Sequence, residues 1–274
     1  MTGNQYQFHY SLNHNPHKPT ILFLHGFMGN IYEFDQVIKL LFDDFSYLII
    51  DLPGHGKTQV LDDEYYTMPS TATAIIQLLN QLKIDQCYLI GYSLGGRLAL
   101  YLTLHFPSRF IKVILESASP GLATEMARLA RIKSDAQIAR KLTKIINKDD
   151  FYHFLNNWYQ QPIFGKIKNH PQYQSMIASR LTNHPPNLVK SLQFMGTGSQ
   201  PCLWELLTEN TIPLLLLVGE KDEKFIDINI AITKKCQVAK LQIIHDVGHN
   251  IHLENTLAFV QNIQDFFSPS SNSA

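Results

Sequence analysis

The stretch "GYSLGGRLAL", residues 91–100, decides how the chain is read. Gly91, Ser93 and Gly95 make a G-x-S-x-G, the pattern that holds a nucleophilic serine on a sharp strand-to-helix turn. Small residues also surround serines in ordinary turns, so the flanks carry the decision. Here the apolar run "CYLI" (87–90) precedes the motif, and "LGGRLALYLTLHF" (94–106), with helical spacing, follows it. That is the strand–turn–helix context the motif requires. Arg97 lies four residues after Ser93, on the same helical face. A buried cation costs free energy unless it is paired, so its place beside a nucleophile needs a reason.

Working outward, several short apolar runs each end in a turn rich in Gly, Pro, Asp or Ser and lead into a longer segment of helical spacing. They are "ILFLHG" (21–26), "SYLIIDLPGHG" (46–56), "CYLIGYS" (87–93), "VILESASPG" (113–121), "PLLLLVGEKD" (213–222) and "LQIIHDVGH" (241–249). Continuously apolar strands alternating with helices argue for a mostly parallel sheet flanked by helices on both faces. "YQFHYSL" (6–12) is read as an antiparallel edge strand before it. A strand–helix–strand unit needs roughly 30 residues, yet about 90 separate the fourth run from the fifth. The excess predicts an inserted helical cap at 121–201, with "ARLARIKSDAQIARKLTKII" (127–146) and "DDFYHFLNNWYQQPIF" (149–164) as amphipathic helices. Residues 1–120 and 202–268 then form an α/β core, and 269–274, small and polar, a disordered tail.

Composition narrows the function. Lys+Arg and Asp+Glu balance at 23 each, so no global field favours nucleic acid or an anionic membrane. The 45% hydrophobic content suits a sizeable core. Three isolated cysteines, Cys87, Cys202 and Cys236, have neither metal-ligand spacing nor an even count. The first residues lack the apolar stretch of a signal peptide, and their histidines never run consecutively, so they are read as native. The longest greasy run, within 213–218, is far short of the roughly 20 residues that span a bilayer. A cytoplasmic protein with no membrane or nucleic-acid partner is expected; oligomeric state is left open.

A serine hydroxyl becomes nucleophilic or basic only beside an imidazole that takes its proton and a carboxylate that orients the imidazole. Asp222, in "GEKDEKF", and His249, in "DVGHNIH", each follow a buried strand. The order Ser93, Asp222, His249 at successive strand ends is that of α/β-hydrolases, and strand C-termini of a parallel sheet open onto one edge. "HGFMGN" (25–30) resembles the loop that supplies one oxyanion-hole amide, so the N–H groups of Phe27 and Leu94 are the candidate donors. "DLPGHG" (51–56) reads better as a structural turn. His245, His249 and His252 have helical spacing, but no H-E-x-x-H or distant third ligand accompanies them, and neither a metal nor a cofactor is expected.

Together "LHGFMGN", "DLPGHGKT", "GYSLGGRLALY", "SPGL", "RIKSD", "NWYQQPIF", "GEKDEKF" and "GHNIHLEN" resemble the 2-succinyl-6-hydroxy-2,4-cyclohexadiene-1-carboxylate synthase family, α/β-hydrolase-fold lyases of menaquinone and phylloquinone biosynthesis. The elbow and triad are common to the whole superfamily; the arginine after "SLGG" and the segment "WYQQP" narrow it. The resemblance implies that Arg97, Arg131 and Arg180 bind carboxylates of a small polycarboxylate substrate, and that Tyr92 and Trp158 also line the site. It implies elimination of pyruvate from 2-succinyl-5-enolpyruvyl-6-hydroxy-3-cyclohexene-1-carboxylate, with Ser93 as base. Two positions depart from the family pattern: "ESASPGL" stands where Gly and His often precede "PGL", and Lys133 replaces another basic residue. The same triad would serve an esterase or a carbon–carbon bond hydrolase, which would turn over neutral esters without regard to Arg97. A binding protein that had lost its chemistry would have little reason to keep all three triad residues.

Overall fold

The computed structural model describes residues 5–268; the expected tail at 269–274 lies outside them. In chain order the strands are β1 (Tyr6–Gln7), β2 (Tyr10–Asn13), β3 (Thr20–Leu24), β4 (Ser46–Ile50), β5 (Gln59–Val60), β6 (Cys87–Tyr92), β7 (Phe110–Glu116), β8 (Leu214–Gly219) and β9 (Ala239–Ile244). Seven of them form one sheet in the order β2-β4-β3-β6-β7-β8-β9. All neighbours are parallel except β2, which runs antiparallel to β4. All six apolar runs are therefore strands of one mostly parallel sheet.

The expected edge strand at 6–12 is split. Tyr6–Gln7 pairs with β5 in a separate two-stranded ribbon, and only β2 lies on the main sheet. The break falls at His9, whose backbone N–H donates to the Thr58 hydroxyl (2.9 Å) and whose ring meets the Asp51 carboxylate (2.7 Å), so His9 is bound to the "DLPGHG" turn instead of a ladder. Asp51 also accepts from the Ile31 and Lys57 amides at 2.7 and 2.8 Å. That carboxylate pins three loops, which is the structural role read for the turn.

The helices are α1 (Asp35–Leu41), α2 (Met68–Gln81), α3 (Leu94–His105), α4 (Glu125–Leu142), α5 (Lys148–Trp158), α6 (Tyr173–Arg180), α7 (Pro185–Met195), α8 (Glu223–Lys235), α9 (Ile251–Glu254) and α10 (Thr256–Phe267). Successive residues of a strand face opposite sides of a sheet, and both sides are apolar here. Leu22, Leu24, Leu89, Val113 and Leu216 pack against α2, α3 and Ile232 of α8. Ile21, Phe23, Ile90, Ile114 and Leu217 pack against α1 and α10 on the other side. Continuous apolar strands are what a sheet covered on both faces demands.

Helices α4 to α7 lie between β7 and β8 and build an apolar cluster of their own, including Leu142, Phe151, Leu155, Tyr159, Phe164, Ile177 and Leu188. The second predicted cap helix stops at Trp158, six residues early, because Pro162 has no N–H to continue the ladder and instead opens a short 3-10 turn. Polar contacts tie this layer to the loops beneath it. Asn183 donates to the Met28 carbonyl at 2.7 Å and accepts from the Gly56 amide at 2.7 Å, and Asn30 donates to the Ser179 carbonyl at 3.1 Å.

The turn at 91–95 is tightly constrained. Ser93 has φ 50° and ψ −105°, a left-handed conformation that costs a non-glycine residue of order 1–3 kcal/mol. It is held because β6 and α3 approach with no side chain between them. A Cβ on Gly91 would lie 2.4 Å from the Gly95 carbonyl oxygen, and one on Gly95 would lie 2.1 Å from the Leu24 carbonyl oxygen. Both obstacles are backbone, so neither can step aside. Gly95→Ala is expected to destabilise the fold by about 3 kcal/mol, near the upper end for overpacking, read as the shift of the urea unfolding midpoint. A midpoint like that of the wild type would mean the elbow is looser than described.

Candidate active site

Ser93 stands at the end of β6, Asp222 follows β8 and His249 follows β9, so the parallel sheet delivers all three to one edge. The Ser93 hydroxyl lies 3.0 Å from His249 Nε2, and His249 Nδ1–H donates to Asp222 Oδ2 at 2.5 Å. Asp222 and His249 are buried, at 1% and 4% exposure, so the pair is shielded from competing water. Aromatic rings fix the imidazole plane: Phe225 stands edge-on at 4.7 Å, Phe164 at 5.8 Å, and Tyr92 is tilted at 5.6 Å between centroids. The His249 backbone N–H donates to the Ile163 carbonyl at 2.9 Å, which ties the cap's 3-10 turn to the histidine loop.

The three residues border a cavity of about 700 Å3 between the sheet edge and α4–α7; Ser93 and His249 line it, while Asp222 lies behind the imidazole. Phe27 and Leu94 both line it, and among the described residues neither backbone N–H donates to a protein acceptor. Leu94 is also the first residue of α3, where unpaired amides and the helix dipole favour negative charge. Buried backbone donors are otherwise almost always satisfied. Two further polar atoms, the hydroxyls of Ser117 and Ser191, are buried at the cavity wall with no partner among the described residues.

Of the three expected carboxylate-binding arginines, the structure brings two to the cavity. Arg97, 9% exposed, points from α3 and donates from Nη1 to the Met195 carbonyl (2.9 Å) and to Gln200 Oε1 (2.5 Å). It meets no carboxylate among the described residues. Burial, and then the neighbouring Arg131, lower its pKa to about 9, leaving it charged at neutral pH. Arg131, half-buried on α4, lines the same cavity and spends its Nε–H on Asp135 at 2.7 Å.

Arg180, the third of them, does not line the cavity. At 2% exposure its guanidinium pairs with Glu33 and donates through Nε to the Tyr159 hydroxyl at 3.1 Å. Glu33 in turn meets His252 Nε2 at 3.1 Å, and His252 Nδ1 meets Glu116 at 2.7 Å. Burial alone would raise Glu33, but Arg180 and His252 hold it well below the usual carboxylate range. Burial would likewise lower His252, yet the two glutamates raise it to about 9, so both ring nitrogens carry protons. The result is a buried network of two anions and two cations under Tyr92, whose ring is 4.9 Å from that of His252. Of the histidines at 245, 249 and 252, the first is exposed beside Glu220, the second belongs to the triad and the third to this network.

Tyr92 and Trp158 both line the cavity, with the Trp158 ring edge-on to Phe27 at 5.8 Å. Several lining residues escape a reading of the sequence. Tyr159 and Phe164 flank the singled-out Trp158 in "WYQQPIF" and could have been found from it. Ser191 carries no local pattern that marks it, and Lys224 stands in "GEKDEKF" two residues after Asp222 without being singled out there.

An alpha/beta hydrolase fold model matches residues 19–256, and the chain belongs to that fold family. The putative 2-succinyl-6-hydroxy-2,4-cyclohexadiene-1-carboxylate synthase of Bacillus subtilis (strain 168) is 34% identical over 252 residues, which is 90% of each chain. The synthase of the same name from Citrobacter koseri is 33% identical, covering 90% of this chain and 93% of that one. The structure of MenH from S. aureus superposes with a TM-score of 0.86 at 32% identity, covering 97% of this chain and 98% of that one. Within the fold family, the chain is a member of the 2-succinyl-6-hydroxy-2,4-cyclohexadiene-1-carboxylate synthase family.

Removing one partner of a buried pair strands the other charge, at a cost of about 3–5 kcal/mol. Arg180→Ala is therefore expected to lose that much in urea unfolding, and adding Glu33→Gln should restore part of it. An Arg180→Ala protein of wild-type stability would place the arginine back among groups held for a ligand.

Proposed function

We propose that the protein eliminates pyruvate from 2-succinyl-5-enolpyruvyl-6-hydroxy-3-cyclohexene-1-carboxylate, giving 2-succinyl-6-hydroxy-2,4-cyclohexadiene-1-carboxylate for menaquinone or phylloquinone. The observation that carries this reading is Arg97: a buried guanidinium with only neutral protein partners, one helical turn from a triad serine and lining the same cavity. A neutral ester gives such a cation nothing to hold. A substrate with several carboxylates does, and arginine binds carboxylate in a fixed, bidentate geometry.

In the reaction His249 accepts the Ser93 proton, and Asp222 orients the ring and steadies the imidazolium. Ser93 Oγ then removes the proton from the ring carbon that carries the succinyl group. The electron pair forms a new double bond to the adjacent ring carbon, the existing double bond shifts by one position, and the bond to the enolpyruvyl oxygen breaks. Enolpyruvate leaves with that electron pair, takes up a proton on carbon and becomes pyruvate. The developing negative charge spreads onto the succinyl carbonyl oxygen, where the unpaired N–H groups of Phe27 and Leu94 are best spent, since they gain most in the transition state. Arg97 and Arg131 bind carboxylates and aim the reacting C–H at Ser93. Tyr92 and Trp158 pack around the ring. No helix of the described residues is long and apolar enough to cross a membrane, and the three cysteines are unpaired thiols, which supports a reducing cytoplasm.

Pyruvate release, coupled to lactate dehydrogenase and corrected for the spontaneous rate, tests the reading. The wild type should release pyruvate rapidly, and Ser93→Ala should lose roughly 10²–10⁴-fold, the range for a general base. Release no faster than background from a folded protein that cleaves p-nitrophenyl esters would make it a hydrolase instead. Arg97→Ala should lose roughly 10- to 100-fold in kcat/KM, with KM for the anionic substrate raised. A KM that ignores the substitution would remove Arg97 from the binding site.

A further inference from the structure

The substrate proposed above has three carboxylates: one on the ring, one ending the succinyl chain and one on the enolpyruvyl group. Arg97 and Arg131 reach the cavity, but Arg180 is committed to Glu33 and Tyr159. Two arginines leave one carboxylate without a partner. Among the described residues, only one other lysine or arginine lines the cavity: Lys224, in the first turn of α8.

We propose that Lys224 is the third carboxylate-binding group and makes the site selective for a tricarboxylate; this rests on the function proposed above. Three observations set it apart from a solvated surface lysine. First, its neighbours in this region are neutralised, Lys221 by Asp246 and Lys235 by Glu205, whereas Lys224 has no carboxylate partner among the described residues. Second, it stands two residues after the triad aspartate in the first turn of a helix, where the dipole disfavours a cation. An anion bound there would gain from the dipole and relieve the lysine at once. Third, its Nζ lies 6.0 Å from the centroid of the Phe225 ring, and that ring is 4.7 Å from the His249 imidazole. Lys224 and His249 both line the cavity, and the Phe225 ring neighbours each of them.

Unlike an arginine fork, an ammonium is a compact, strongly hydrated charge on a flexible stem. It suits a carboxylate on a rotatable arm better than one fixed to the ring. Lys224 therefore fits the succinyl or enolpyruvyl carboxylate, leaving the ring carboxylate to the arginines.

The test is steady-state pyruvate release by wild type, Lys224→Gln and Lys224→Arg over a range of ionic strength. Lys224→Gln should lower kcat/KM roughly 5- to 30-fold, with the loss falling chiefly on KM, because the group binds ground state and transition state alike. It should also flatten the fall of kcat/KM with salt, while Lys224→Arg recovers most of both effects. Unfolding midpoints should match the wild type, since the side chain is exposed. Wild-type turnover with an unaltered KM and salt slope in Lys224→Gln would overturn the proposal and leave the lyase reading standing. A wild type that releases no pyruvate would overturn the reading on which the proposal rests.

Discussion

At Ser93 the chain must reverse from strand to helix within one residue, and the rest of the site depends on that reversal. With φ at 50°, the serine projects beyond the sheet edge to where the β8 and β9 loops bring Asp222 and His249. The same turn leaves the Leu94 amide without a carbonyl to meet and sets Arg97 one helical turn deeper along the cavity wall. The triad serine, the unpaired amide and the buried cation are thus three products of one backbone event. Its strain is contained because the flanking strand and helix are in backbone contact, with two glycines at the points where any side chain would collide.

Charge divides the arginines into two kinds. Arg97 and Arg180 are both buried, and both would be costly if left alone. Arg180 is compensated internally: Glu33, His252 and Glu116 close a network joining the loop after β3, the end of β7, α9 and the cap helix α6. Arg97 has only carbonyl and amide oxygens as partners. Similar burial thus leaves one charge matched within the protein and the other with neutral partners alone. The network also bears on catalysis indirectly, because it lies under the Tyr92 ring that packs beside His249.

Much of this architecture is legible in the sequence. The strands are continuous apolar runs bounded by turn residues, so their existence and order can be read locally, and the triad follows because each member sits just past one of them. What cannot be read depends on partners far away along the chain. The resemblance marks Arg180 as a substrate ligand, but its partner Glu33 lies 147 residues earlier and no local pattern announces that pairing. Gln200, which accepts from Arg97, belongs to the loop after α7 and acquires meaning only when that loop meets α3, 103 residues earlier at the contact. The N-terminal segment misleads for the opposite reason. Its alternation suits a single strand, but the contacts of His9 with Thr58 and Asp51 divide it in two.

The central claim is that a hydrolase-type triad here acts as a base on carbon, directed by cations that hold the substrate's carboxylates. The most direct test is single-turnover pyruvate release from substrate carrying deuterium on the ring carbon that bears the succinyl group. If Ser93 removes that hydrogen in the step that expels enolpyruvate, the deuterated substrate should react several-fold more slowly than the protiated one. Equal rates, together with a transient acyl-enzyme on Ser93 in intact-protein mass spectra, would show attack on a carbonyl instead and contradict the account.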